Sequence, residues 1–140
     1  FYPWVRMFDP AGVVVYAGGF LLTLSDARVY FACDTALFLD MKLIGAGGLD
    51  LAVVPIGDLY TMGPDDSIDA IKLLNPKRVA PCHYNTWPTI AQDSAAWAER
   101  VRSHTAAEPI VVEPGGPAAG RGPPGWWVRP GRGWWPSGGG

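Results

Sequence analysis

"LDLAVVPIGDLYTMGPDDSIDAIKLLNPKRVAPCH", residues 49–83, joins a continuous apolar run, a break at Pro55-Ile56-Gly57, an amphipathic segment and a second short apolar run. The first run is too short for a helix and is rich in β-branched residues, which reads as a strand buried on both faces. The middle segment predicts a helix. Pro64 suits the first helical position, Asp65 and Asp66 suit the positive end of the macrodipole, and Ile68, Ile71 and Leu74 share one face. "KRVAPCH" is then a brief second strand. Strand, helix and strand in this order imply a parallel pair and an α/β layered fold with ligand-binding loops at the strand ends.

The pattern extends in both directions from this unit. Upstream, Val13–Tyr16, Phe20–Leu24 and Arg28–Cys33 read as strands separated by Gly18-Gly19 and Ser25-Asp26-Ala27. "TALFLDMKLI" has Leu37, Met41 and Ile44 at helical spacing and ends at Gly45–Gly48. Downstream, Asp93 or Ser94 can cap the helix "SAAWAERVRSH", and "PIVVE" reads as a last strand. From Pro114 to Gly140 the chain is mostly Gly and Pro with Trp126-Trp127 and Trp134-Trp135, the composition of a disordered tail. The domain is therefore expected over residues 1–113 and the tail over 114–140.

Composition excludes several function classes. A formal net charge of −2 with no basic stripe argues against nucleic acid as a partner, and no apolar run reaches spanning length. No leader pattern is visible, so a cytoplasmic protein is expected. The two cysteines, Cys33 and Cys82, lack CxxC spacing and suit buried thiols in a reducing compartment. The first residue is Phe1, as in a piece of a longer protein. No serine has an acid-base partner at a telling spacing, and the glycine-rich pieces match neither phosphate-binding fingerprint.

Two metal-capable side chains fall immediately after predicted strands, Asp34 after "VYFAC" and His83 after "RVAPC". A carboxylate oxygen and an imidazole nitrogen are ordinary donors to zinc or a similar divalent ion, although a hydrolytic centre needs at least three protein donors. Local sequence leaves plainer readings open. Asp34 before Thr35 is equally a helix N-cap for "ALFLDMKLI", and His83 alone reads as a satisfied loop histidine. A Cys/Asp/Cys/His cluster is conceivable, but neighbours on a strand point to opposite faces, which favours packed thiols. Asp58 lies in a loop after a buried strand. Tyr84, Asn85 and Thr86 either touch a ligand or satisfy a turn. His104, at a helix C-terminus, is left outside the site.

Taken in order, "AGGFLLTL", "VYFACDTALFLDMKLIG", residues 49–93 and "VVEPG" resemble the C-terminal half of the metallo-β-lactamase superfamily, in particular its uncharacterised metal-dependent hydrolase branch. The resemblance covers Val13 to Gly115. It implies a four-layer αββα sandwich of which this chain is the second αβ half. It also implies a divalent metal cofactor, zinc, with up to two ions, Asp34 as bridging ligand, His83 as terminal ligand and a small-molecule substrate. Asp34 and His83 are then the catalytic pair as well. The family's HxHxDH motif has no counterpart here, its further His before the "GGF" block is missing from "FYPWVRMFDPAG", and the Gly of its "GDT" is Cys33. Little activity is expected of the chain alone. Half a sandwich also exposes an apolar sheet face, so the N-terminal half or a second copy is the expected partner. The competing expectation is a non-catalytic α/β domain that binds a partner through its surface or its paired tryptophans.

Overall fold

A computed structural model describes residues 18–112 in full and the backbone of residues 6–8 and 14–16. The expected tail, 114–140, lies outside the described residues. Strands β1 (Arg6–Phe8) and β2 (Val14–Tyr16) pair antiparallel as a small sheet. The main sheet has five strands: β3 (Phe20–Thr23), β4 (Arg28–Phe31), β5 (Leu49–Pro55), β6 (Pro76–Cys82) and β7 (Glu108–Pro109). They lie side by side in chain order, with β3 antiparallel to β4 and every later pairing parallel. The crossovers carry α1 (Met41–Gly45), α2 (Pro64–Leu74) and α3 (Ser94–His104). The α/β expectation holds.

The helices form where local chemistry dictates. Pro64 opens α2, Asp65 and Asp66 occupy its first turn, and Asn75 closes it in the left-handed conformation with φ 45°. Asp93 caps α3 by accepting from the backbone N–H of Ala95 and Ala96 at 3.0 and 2.9 Å. Trp97, 1 % exposed, is the largest fully buried side chain, and its indole N–H donates to Ser67 Oγ at 2.9 Å. The Ser67 hydroxyl itself donates to the Pro64 carbonyl at 2.7 Å, so the buried indole and hydroxyl between α2 and α3 are both satisfied.

All three helices cover one face of the sheet. Tyr30, Ala52, Val54 and Val79 point into a core with Met41, Ile68, Ile71, Leu74, Trp97 and Val101. The register places Phe20 opposite Phe31, Leu22 opposite Val29, and Val29 and Phe31 opposite Leu51 and Val53. These form the other face, and Phe20, Leu22, Phe31, Leu51 and Val53 are only partly buried or exposed. The strand expected to be buried on both faces is thus covered on one. Its run of apolar residues matches a two-sided burial that the described residues complete on the helical side alone.

Two further expectations are corrected. The helix read across "TALFLDMKLI" is confined to Met41–Gly45, preceded by Asp40. Residues 35–38 are an irregular loop because Thr35 is held elsewhere: its carbonyl accepts the Met62 N–H at 3.0 Å. Leu37, Phe38 and Ile44 still pack against the core, so the helical spacing reported burial and not helix. The last strand, read as "PIVVE", is the two-residue β7, extended only by the Ile110 N–H bonding to the Val79 carbonyl at 2.7 Å.

Candidate metal centre

The parallel strands β4, β5 and β6 all end at the same edge of the sheet. Beyond them run three loops: residues 32–40, 56–63 and 83–93. The Ala32 N–H bonds to the Val53 carbonyl and the Ile56 N–H to the Cys82 carbonyl, which carries strand register into the loops. Asp34 and His83 stand across the end of β5, with His83 Nε2 3.7 Å from Asp34 Oδ1. Asp34 does not cap a helix, since α1 begins seven residues later with Asp40 at its N-cap.

Backbone geometry concentrates around these two residues. Of the six non-glycine residues with positive φ among the described residues, five lie in the loops: Cys33 (56°), Asp58 (62°), Leu59 (52°), His83 (53°) and Asn85 (58°). Each such residue costs about 1 kcal/mol or more relative to right-handed backbone, and such outliers gather at sites whose geometry the fold over-determines. Cys33 takes the left-handed conformation at the position where the resembling family has glycine. Gly57 has a different role. A Cβ built on it would lie 2.2 Å from the His83 carbonyl oxygen, so the backbone that presents His83 passes against a residue with no side chain.

A distance of 3.7 Å exceeds a hydrogen bond, yet an ion about 2.0–2.2 Å from each donor atom spans it at an angle near 120°. His83 Nδ1 is buried without a hydrogen-bond partner among the described residues, which leaves the ring able to serve an ion or an orienting acceptor. The carboxylate–imidazole pair therefore fits a divalent metal as two of its ligands. Among the described residues no group of three or more His, Cys, Asp or Glu side chains is placed to hold an ion.

The remaining residues near the pair have other roles. Burial pushes the Cys82 thiol up to about 11, assisted by the nearby Cys33 and Asp34 charges, and burial with Asp34 raises Cys33 as well. Both thiols stay protonated at neutral pH and neither is a ready nucleophile. Tyr30, pushed up to about 12 by burial and by Cys33, is equally inert as an acid. Asn85 satisfies a turn: its N–H bonds to the Ile90 carbonyl, and its side-chain oxygen accepts the Gln92 N–H at 2.7 Å. Asp58 is exposed in its loop, beside Gly63. His104 Nδ1 pairs with the Arg100 carbonyl and Ser103 Oγ within α3, away from the loops. Two participants were not foreseen. Gly57 is one, and the other is Trp87, whose ring meets the His83 imidazole edge-on with centroids 6.4 Å apart. Gly57 was visible in sequence only as a turn residue, and Trp87 had no local signal.

The model of the Beta-lactamase superfamily domain matches residues 10–84, a stretch containing both Asp34 and His83. The chain belongs to the metallo-β-lactamase superfamily. A UPF0173 metal-dependent hydrolase of Thermus thermophilus is 53 % identical over 106 residues, which cover 76 % of this chain and 44 % of that protein. The corresponding hydrolase of Pelotomaculum thermopropionicum is 47 % identical over 108 residues, covering 74 % and 47 %. Among solved structures, the metallo hydrolase Igni18 of Ignicoccus hospitalis superposes with a TM-score of 0.69 at 35 % identity, over 79 % of this chain and 47 % of its own. A metallo-β-lactamase superfamily protein from Thermotoga maritima, at 22 % identity and a TM-score of 0.55 over 67 % of this chain and 56 % of its own, shares the fold. This superfamily member spans about half the length of the curated relatives it matches. None of its helices is long and apolar enough to cross a membrane among the described residues.

Proposed function

We propose that this chain is one αβ half of a metal-dependent hydrolase, contributing Asp34 and His83 as metal ligands, with zinc as the ion. The other half supplies the remaining ligands and covers the open sheet face. The observation that carries this reading is the placement of a carboxylate and an imidazole 3.7 Å apart at the C-terminal edge of parallel strands. The naming of the relatives as metal-dependent hydrolases supports it.

When bound, the ion supplies Lewis-acid polarisation of the scissile group and acidification of water. The chain's own residues do the positioning. Asp34 is held by the Thr35–Met62 backbone bond behind it, and His83 by the close approach of Gly57. The substrate is a small molecule with an ester, lactone, amide or phosphodiester bond, and the protein works in the cytoplasm.

Zn²⁺ titration of the chain, alone and joined to the N-terminal half of a relative, tests the reading. Weak binding and no turnover are expected alone, and tight binding joined. Asp34→Ala and His83→Ala are each expected to weaken the joined site by at least about 100-fold, since loss of an orienting partner alone costs about 10–100-fold. Unchanged affinity in either variant would remove that residue from the site.

A further inference from the structure

The loops that surround Asp34 and His83 carry no lysine or arginine: every cation among the described residues lies outside residues 32–40, 56–63 and 83–93. Their charged side chains are acids only: Asp34, Asp40, Asp58 and Asp93, the last of which caps α3. The same loops expose large apolar side chains. Leu59 and Tyr60 are 62 % and 60 % exposed and Trp87 is 48 % exposed.

These side chains are held outward by the backbone. Asp58 and Leu59 are consecutive left-handed residues, and the turn is closed by the Asp58 N–H to the Met62 carbonyl and by the Thr61 N–H to the Asp58 carbonyl. Met62 in turn donates to Thr35, beside Asp34. Trp87 sits in a loop closed by the Asn85–Ile90 bond and fixed by Gln92, whose side-chain amide reaches the Gly57 carbonyl at 3.3 Å. The two apolar projections thus stand on neighbouring loops at the strand edge that carries Asp34 and His83, and the ring of one meets the imidazole edge-on. Strained backbone that presents hydrophobic groups to water beside a candidate centre is a recognition device, because it is costly for the isolated fold.

Resting on the hydrolase reading, we infer that Leu59, Tyr60 and Trp87 form the substrate wall of this half, selecting an uncharged ester, lactone or amide with an apolar acyl or aryl group. Beyond the charge a bound ion would supply, this wall offers an anionic group no guanidinium or ammonium partner and presents carboxylates instead. Of the bond types open to the hydrolase, the phosphodiester is therefore disfavoured.

The test is a calorimetric binding series on the full chain with acetanilide, butyranilide, hexananilide and phenyl phosphate. Each fully buried methylene strengthens binding about fourfold, so a rim that covers the chain in part gives about twofold or more per methylene. Trp87→Ala and Tyr60→Ala are expected to flatten that dependence and Trp87→Phe to keep it. Phenyl phosphate binding more tightly than hexananilide, or a chain-length dependence indifferent to both alanine variants, would overturn the inference. Failure of the hydrolase reading shows separately, as loss of the Zn²⁺ response to Asp34→Ala and His83→Ala while the anilide series stands.

Discussion

The two faces of β5 are made of similar residues and live in different environments. Ala52 and Val54 are wholly buried under the helices, whereas Leu51 and Val53, next to them in sequence, face a surface shared with exposed Phe20, Leu22 and Phe31. One face is a finished core; the other, among the described residues, is partly exposed apolar surface. The contrast places the described burial in the helical layer and leaves the open face as the kind of apolar surface that a partner covers.

The sharpest way to break this comparison is to remove the centre of the covered side. Trp97→Ala deletes the largest buried side chain and leaves Ser67 Oγ without its indole donor. A loss of about 3–5 kcal/mol is expected, read by thermal or urea denaturation, which is a large fraction of the stability of a domain of this size. A loss under about 1 kcal/mol would mean that the helical layer is not the stabilising one.

Gly57→Ala tests the junction between the core and the rim. The added methyl would collide with the His83 carbonyl, so either β6 or the 56–63 loop shifts. The expected cost is about 1–3 kcal/mol. In the joined protein it should be accompanied by weaker Zn²⁺ binding, because His83 moves with its carbonyl. Wild-type Zn²⁺ affinity in a destabilised variant would show that the imidazole position does not depend on this contact.

A third test lies at the opposite edge of the sheet. Asp50 accepts from the Arg28 N–H at 2.8 Å and from Lys77 Nζ at 2.7 Å, tying the starts of β4, β5 and β6 together. These hydrogen bonds, that of Lys77 first, hold its carboxyl below the usual carboxylate range. A depressed folded-state value means that the stabilisation is fully present above the unfolded value near pH 4 and disappears as pH falls through the lower folded one. Asp50→Asn should therefore cost about 1 kcal/mol at pH 7, and the gap to wild type should close below about pH 4. Salt should narrow it too, because Lys77 is exposed. A gap that is constant with pH would assign the effect to packing.

Much of this was legible in the sequence because local signals and tertiary demands agree. Pro64, Asp65-Asp66 and Asp93 mark helix starts whose geometry the structure reproduces. Asp34 and His83 were found as polar residues that follow strand-like runs, and parallel pairing brings such ends to one edge. What failed had a common cause. Leu37, Met41 and Ile44 satisfy a helical period, but a loop anchored by Thr35 buries the same side chains. The apolar run of β5 reads the same whether one face or both are covered by this chain. Trp87 could not be chosen over the other tryptophans, because its meaning lies in its distance to His83.

The smallest stability effect is expected on the open face, and it is the most direct probe of the contrast. Leu22 pairs with Val29 on that face and is 45 % exposed, so Leu22→Lys removes little burial within the chain. Its melting free energy should stay within about 0.5 kcal/mol of wild type, as for an ordinary surface change. Its association should not. If this face is where the chain meets its other half or a second copy, an ammonium placed there must be desolvated, and sedimentation should show a shift toward monomer or loss of binding to the joined half. A Leu22→Lys protein that melts several degrees lower while sedimenting like wild type would show the reverse arrangement, with this face covered within the chain and the two sides of β5 energetically alike.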